Sequence, residues 1–391
     1  MIYNIILVIA LTLFISGCGS SDEKSNKATS LITESTLATT NNTQDPENSS
    51  AQNDSLEQDN SQQQRFNSSP NSAAKISDKW HLVWQDEFNS NAIDLTKWQF
   101  EVNCYGGGNE EQQCYTDRSE NAYVEQGLLN IVALKESFSG PKAQDDDPAY
   151  NNTEIKTLPY TSARLRTKYQ GDWTYGRFEI RAKLSFGQGT WPALWMLPTD
   201  WAYGGWAGSG EIDIMEAVNL KALSDEVDAL PEQPETRIHG TLHYGRAWPD
   251  NVYSGIAFNL PNGVNPADDF HEYAIEWQEG EIRWYVDDIH YATQRESGWY
   301  SHYMNDQGQL VAGENSAPFD QKFHLIMNLA VGGNWATNAN EQGIDESVFP
   351  QKLLIDYVRV YECSISPING KGCETIGENP KLVGGHQAPL L

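Results

Sequence analysis

In the segment Gly210-Glu211-Ile212-Asp213-Ile214-Met215-Glu216, three carboxylates stand among apolar residues. Strand alternation puts Glu211 and Asp213 on one face and Ile212 and Ile214 on the other, and strict alternation would send Glu216 away from the first two acids. A one-residue bulge near Ile214 and Met215 returns it to their face. Like charges a few ångströms apart repel and raise one another's pKa, so such a cluster opposes folding unless it does chemistry. Cleavage of a glycosidic bond with retention of configuration needs this pairing: an ionised carboxylate that attacks the anomeric carbon and a protonated one that gives its proton to the departing oxygen. Here Glu211 is read as the first and Glu216, general acid then base, as the second. Along a bulged strand the outer Cα atoms lie roughly 13 Å apart at about 3.3 Å per residue. Side chains leaning together can close that to the separation of about 5 to 5.5 Å that retention requires. Asp213 is the auxiliary acid, helping to keep Glu216 protonated and to switch its role. An acidic strand that discourages edge-to-edge aggregation is the alternative without chemistry.

These acids need a rigid sheet to hold them. Residues 178–184 alternate, with Phe178, Ile180, Ala182 and Leu184 on one face and Glu179, Arg181 and Lys183 on the other, the pattern of a half-buried strand. Similar runs occur at 128–134, 238–244, 273–277, 282–286, 323–331 and 353–361, separated by turn residues. No segment of equal strength repeats at helical spacing, so the pattern predicts an all-β antiparallel sandwich. The acid-rich inserts 144–152 and 221–235 are expected to be surface loops.

The chain resembles glycoside hydrolase family 16 along about 280 residues. The resemblance is carried by Leu82-Val-Trp-Gln-Asp-Glu-Phe88, Tyr175-Gly-Arg-Phe-Glu-Ile-Arg-Ala-Lys183, Gly189-Thr-Trp-Pro-Ala-Leu-Trp-Met-Leu-Pro198, the acid segment, His239-Gly-Thr-Leu-His-Tyr244, Phe323-His-Leu-Ile-Met-Asn-Leu-Ala-Val-Gly-Gly333 and Asp356-Tyr-Val-Arg-Val-Tyr361. The acid segment is similar to the bulged form of laminarinases, agarases and carrageenases rather than the unbulged form of lichenases. The resemblance implies a jelly-roll of two antiparallel sheets with a concave glycan-binding groove, and the same roles for Glu211, Asp213 and Glu216. It implies Trp206 and Trp191 as floors of sugar subsites, and Asn109, Arg164 and Asn328 as groove residues. His243 is either a contact of Asp213 from the next strand or a structural histidine. Trp195 and Trp277, inside apolar strands, are expected in the core. No cofactor is implied for catalysis. A structural calcium ion on the convex face is implied at Glu87, the carbonyl of Gly127 and Asp356.

Thirteen Trp and eighteen Tyr suit a sandwich core or a sugar-stacking cleft, and a formal charge of −28 disfavours nucleic acid and sulfated polymers as partners. A neutral β-glucan fits best: β-1,3-glucan of the laminarin type first, with mixed-linkage β-1,3-1,4-glucan tolerated. An agarase-type hydrolase of neutral galactan, a transglycosylase using the same residues and a non-catalytic surface glycan-binding protein are the rivals. Residues 1–18 read as a lipoprotein signal peptide, in which an apolar run ends at Ile15-Ser16-Gly17-Cys18 and Cys18 is the acylated residue. Gly19 after it resembles the signal for the outer membrane or cell surface. Residues 19–77 read as a disordered polar tether, 78–363 as the catalytic domain and 364–391 as an irregular extension. Cys104 with Cys114 and Cys363 with Cys373 are the economical disulfides, although four cysteines allow three pairings. A monomer is the expected state.

Overall fold

The computed structural model describes residues 78–148, 150–152, 154–225 and 233–391. The signal-peptide, Cys18 and tether expectations therefore lie outside the described residues, as does part of the 221–235 insert. In chain order the strands are β1 (Trp80–Asp86), β2 (Gln99–Phe100), β3 (Gln113–Tyr115), β4 (Ala122–Glu125), β5 (Leu128–Pro141), β6 (Ile155–Ser162) and β7 (Arg164–Arg166). They continue as β8 (Asp172–Trp173), β9 (Gly176–Lys183), β10 (Thr190–Pro198), β11 (Glu211–Glu216), β12 (Arg237–Tyr244), β13 (Val252–Asn259) and β14 (His271–Gln278). The last are β15 (Glu281–Val286), β16 (Ile289–Arg295), β17 (His302–Met304), β18 (Leu310–Ala312), β19 (Phe323–Val331), β20 (Gln351–Cys363) and β21 (Lys381–Val383). A single-turn helix, α1 (Gly333–Ala336), follows β19. No helix among the described residues is long and apolar enough to cross a membrane.

Two large sheets form the sandwich. One runs β21-β16-β15-β14-β9-β20-β5-β6-β3, with β1 on β20 and β4 on β5; the other runs β13-β12-β11-β10-β19-β7-β2, with β8 on β19. Inward rows from both sheets, among them Ile180, Ile275 and Trp277 from the first and Leu194, Ile212, Leu242 and Met327 from the second, join in one core. Trp98, Trp277 and Trp284 are fully buried there, each of the kind whose truncation to alanine costs about 3–5 kcal/mol. The acids lie on the outer, concave face of the second sheet, on β11 between β10 and β12.

Two expectations are corrected. The charged row of β9 is solvated only in part: Glu179 is 1% exposed, as is its neighbour Arg177 at 3%, while Arg181 and Lys183 remain partly exposed. Arg177 pairs with Glu179 and, at 3.1 Å, with Glu276 on β14, a buried network that offsets the loss of water only because its members are mutually bonded. The segment after Cys363 is not irregular throughout. It crosses this network, where the Thr375 N–H donates to Glu276 (2.9 Å), adds β21 parallel to β16, and brings the His386 N–H to the Tyr244 hydroxyl (2.9 Å). The 144–152 insert is a surface loop, as expected, and it is tied down by its acids. Asp145 accepts from the Val102 N–H (3.0 Å) and the Asn103 amide (2.7 Å), and Asp146 holds Arg166 (2.6 and 3.1 Å) and Lys168 (3.1 Å) at the β7 edge. The two disulfides form as expected, Cys104–Cys114 and Cys363–Cys373.

Candidate active site

The bulge falls at Ile214. Opposite β12, Asp213 pairs with Thr241 and Glu216 with His239; opposite β10, Asp213 pairs with Trp195 and Met215 with Leu194. Each partner strand is one residue short, so β11 carries the extra one. Ile214 and Met215, though adjacent, both enter the core at 1% and 0% exposure, and Glu216 returns to the face of Glu211 and Asp213.

Two indoles fix the outer acids. The Trp206 Nε1–H donates to Glu211 Oε2 at 2.8 Å, and the Trp191 Nε1–H donates to Glu216 Oε1 at 2.9 Å. Asp213 lies between them, 2% exposed, with its Oδ2 lacking a hydrogen-bond partner. His243 Nε2, from β12, is 3.6 Å from Glu211 Oε1 and 3.5 Å from Asp213 Oδ2. Trp284 braces the strand from the core by donating to the Asp213 carbonyl at 2.9 Å.

Burial dominates the electrostatics. It pushes Glu211 up to about 7, against the Trp206 hydrogen bond and the positive charge of Arg164. Burial also brings Glu216 to about 7; Glu211 and Glu111 add to the rise, while His243 and the Trp191 hydrogen bond oppose it. Asp213 is raised well above the carboxylate range by burial first, then by Glu216 and Glu211. Burial lowers His243, so its imidazole is largely neutral at pH 7. The three acids thus hold protons as a unit into the neutral range.

The groove floor differs from expectation in its tryptophans. Trp191 is 9% exposed and packs edge-on to Trp335 of α1 (centroids 5.3 Å), so it orients Glu216 rather than offering an open face. Trp195 is not in the core. It shares the outer face of β10 with Trp191, beneath the Arg164 guanidinium (5.2 Å), and donates to Asn328 Oδ1 at 2.8 Å. Alternation fixes the two faces of β10 but cannot say which is inner, and both rows are apolar. Trp277 is in the core, as expected. Arg164 stacks on Tyr115 (4.5 Å) and pairs with Glu101 at 3.4 Å. Asn109 is exposed; its carbonyl accepts from the Asn334 N–H at 2.7 Å, which docks its loop against the end of β19. Sequence reasoning missed Glu111, Trp335 and Tyr253. Tyr253 lies on β13 with its ring 5.6 Å from that of His243 and 65% exposed.

Of the residues expected to hold calcium, Glu87 follows β1, Gly127 lies between β4 and β5 and Asp356 is within β20, and both carboxylates are engaged. Glu87 takes the Arg359 guanidinium in a two-pronged pair (2.7 and 2.9 Å), and Asp356 pairs with Arg181. Arranged so, with Gly127 contributing only a turn carbonyl, they do not fit a bound cation. Among the described residues, Glu211, Asp213 and His243 could also reach one ion, but hydrogen bonding and acid chemistry account for that cluster without a metal.

The model of glycosyl hydrolases family 16 matches residues 134–348. The chain belongs to this family. Over 290 residues it is 40% identical to a glucan endo-1,3-beta-glucosidase A1 of Niallia circulans, covering 72% of this chain and 38% of that longer protein. It is 42% identical over 296 residues to a beta-glucanase of Rhodothermus marinus, covering 72% of this chain and 85% of that protein. The solved laminarinase of Rhodothermus marinus superposes with a TM-score of 0.54 at 41% identity, over 72% of this chain and 97% of that one. As a family 16 glycoside hydrolase the chain needs no cofactor for catalysis, and its two sheets are those of the family's jelly-roll.

Proposed function

We propose that the chain is a retaining endo-hydrolase of β-1,3-glucan that also accepts mixed-linkage β-1,3-1,4-glucan. The observation that carries this reading is the bulged strand that turns Glu211 and Glu216 to one face, each held by an indole N–H. Ionised Glu211, favoured by Trp206 and Arg164, attacks the anomeric carbon as protonated Glu216 gives its proton to the departing oxygen. Glu216, now ionised, draws a proton from the water that releases the glycosyl-enzyme. Asp213, buried between them with one oxygen unpartnered, can hold a proton while the roles change. The names of the relatives support a β-glucan, and so do the charges. Arg164, Arg166 and Lys168 at the β7 end are already paired with Glu101 or Asp146, leaving no cation there to receive a sulfate.

The test is product analysis on laminarin, mixed-linkage glucan and agarose with wild type and Glu211→Gln. β-1,3-Gluco-oligosaccharides from wild type alone support substrate and nucleophile. Agar oligosaccharides would move the substrate to a galactan, and retardation in glucan gels without cleavage would make this a binding protein. We further propose that the protein is a monomeric lipoprotein acylated at Cys18 and exported to the outer membrane or cell surface; loss of labelled palmitate from Cys18→Ser tests the anchor. Calcium enters this reading only by displacing Arg359 and Arg181 from Glu87 and Asp356. The paired arrangement predicts the same Tm in EDTA as in millimolar calcium, and a rise with calcium would restore the ion.

A further inference from the structure

The loop closed by Cys104–Cys114 brings a fourth carboxylate to the groove. Glu111 is 4% exposed, although it lies in a loop of glycines and polar residues. Gln113 Nε2 donates to its Oε2 at 2.6 Å and the Tyr115 hydroxyl approaches at 3.3 Å, while Asn109 Nδ2 is 3.4 Å from Oε1. Among the described residues these hydrogen-bonding partners are all neutral, and Arg164, stacked on Tyr115 (4.5 Å), is the cation whose charge acts on Glu111. Burying a carboxylate opposes folding except as its hydrogen bonds offset the lost water, so this position is held at a cost.

The loop is built to accept that position. Gly107 has φ +61°, and a Cβ there would lie 2.0 Å from Glu111 Oε1, so only glycine lets the carboxylate fold back over the loop. Gln113 anchors the other side, its Oε1 accepting from the Val331 N–H at 2.7 Å at the end of β19. A Cβ on Gly333 would sit 3.1 Å from Glu111 Cγ and 3.3 Å from Trp191 Cζ3. Glu111 and Trp191 therefore flank the same glycine, and Trp191 is the residue that holds Glu216.

We propose that Glu111 is a positioning residue for the proton donor, its fixed negative charge favouring the protonated form of Glu216 while Arg164 favours the ionised form of Glu211. This rests on the hydrolase reading above. The groups facing Glu216 are Glu211 and Asp213 on its own strand, His239 and His243 on β12, Trp191 on β10 and Glu111 on this loop. Burial lowers both histidines; among the charges acting on Glu216, His243 opposes its proton while Glu211 and Glu111 favour it, whereas Arg164 favours the ionised form of Glu211. Coulomb effects of this kind persist where water is excluded.

The experiment is the pH profile of kcat/KM on the cleaved glucan for wild type, Glu111→Gln and Glu111→Asp. Glutamine keeps an oxygen for Gln113 to donate to but removes the charge, so the alkaline limb, set by loss of the Glu216 proton, should move to lower pH by roughly 0.5 or more. Glu111→Asp keeps the charge and should leave that limb in place even if turnover falls. A uniform fall in kcat/KM for Glu111→Gln with unmoved limbs, or loss of folding in both variants, would overturn the proposal in favour of a structural carboxylate. If wild type cleaves agarose instead, the same profiles on agarose test Glu111 while the substrate reading alone fails. A wild type that cleaves nothing overturns both.

Discussion

Glu211 and Glu216 occupy matching surroundings, each buried and each bonded by an indole N–H, and both are pushed up to about 7. A carboxyl whose pKa is higher in the folded than in the unfolded chain binds its proton better when folded. Its contribution to stability is full below the unfolded value of 4.5 and is lost as pH rises through about 7. Glu216→Gln, which cannot ionise, should therefore match wild type in stability near pH 4.5 and exceed it by roughly 1–3 kcal/mol at pH 8, as read from urea unfolding. Equal stability at both pH values would mean the cluster is not strained by charge. The tryptophans divide in the same way between function and stability. Trp195→Ala should raise KM with little change in Tm, whereas Trp277→Ala should cost about 3–5 kcal/mol of stability. The acids were legible in the sequence because they alternate with isoleucines, because a bulge brings the third to the same face, and because the segment resembles the family's active-site strand. Trp195 was misplaced because its apolar neighbours hid which face was inner, and Glu111 escaped notice because spacing does not give the path of a loop.

At the scale of elements, the bulge in β11 decides which acids meet. Deleting Met215 would leave Glu-Ile-Asp-Ile-Glu, a regular strand in which plain alternation keeps all three acids on one face. Such a variant should lose the core volume of Met215, at a cost of about 2–5 kcal/mol, and retain measurable activity lowered on the order of a hundredfold by misplacement. A folded deletion variant with no activity would show that the bulge itself aims Glu216. Period-2 patterning found several strands nearly to their ends: β19 covers residues 323–331 as expected, and β12 and β15 differ by at most one residue, but the run at 128–134 is only half of β5, which continues to Pro141. It failed at Glu179 on β9, which is buried with Arg177 and Glu276, because a local pattern cannot distinguish water from a neighbouring salt bridge.

For the whole molecule, the concave sheet carries the chemistry and the opposite sheet carries a buried ionic network closed by the C-terminal segment. Removing residues 364–391 would take the Thr375 N–H from Glu276 and the Thr375 carbonyl from the Tyr285 hydroxyl, and would break the Cys363–Cys373 link. The shortened protein should lose about 2–5 kcal/mol of stability while keeping the pH profile of the intact enzyme below its lower Tm. A change in that profile would mean the segment reaches the groove. Its docking was not legible because a weakly apolar, turn-rich segment carries no period of its own. The central claim is retention at a glucan bond by Glu211 and Glu216. It is tested most directly by following the anomeric protons of the first products released from laminarin by NMR, before mutarotation. The account predicts the β-anomer first. The α-anomer first would mean inversion, and would contradict the assignment of Glu211 as nucleophile.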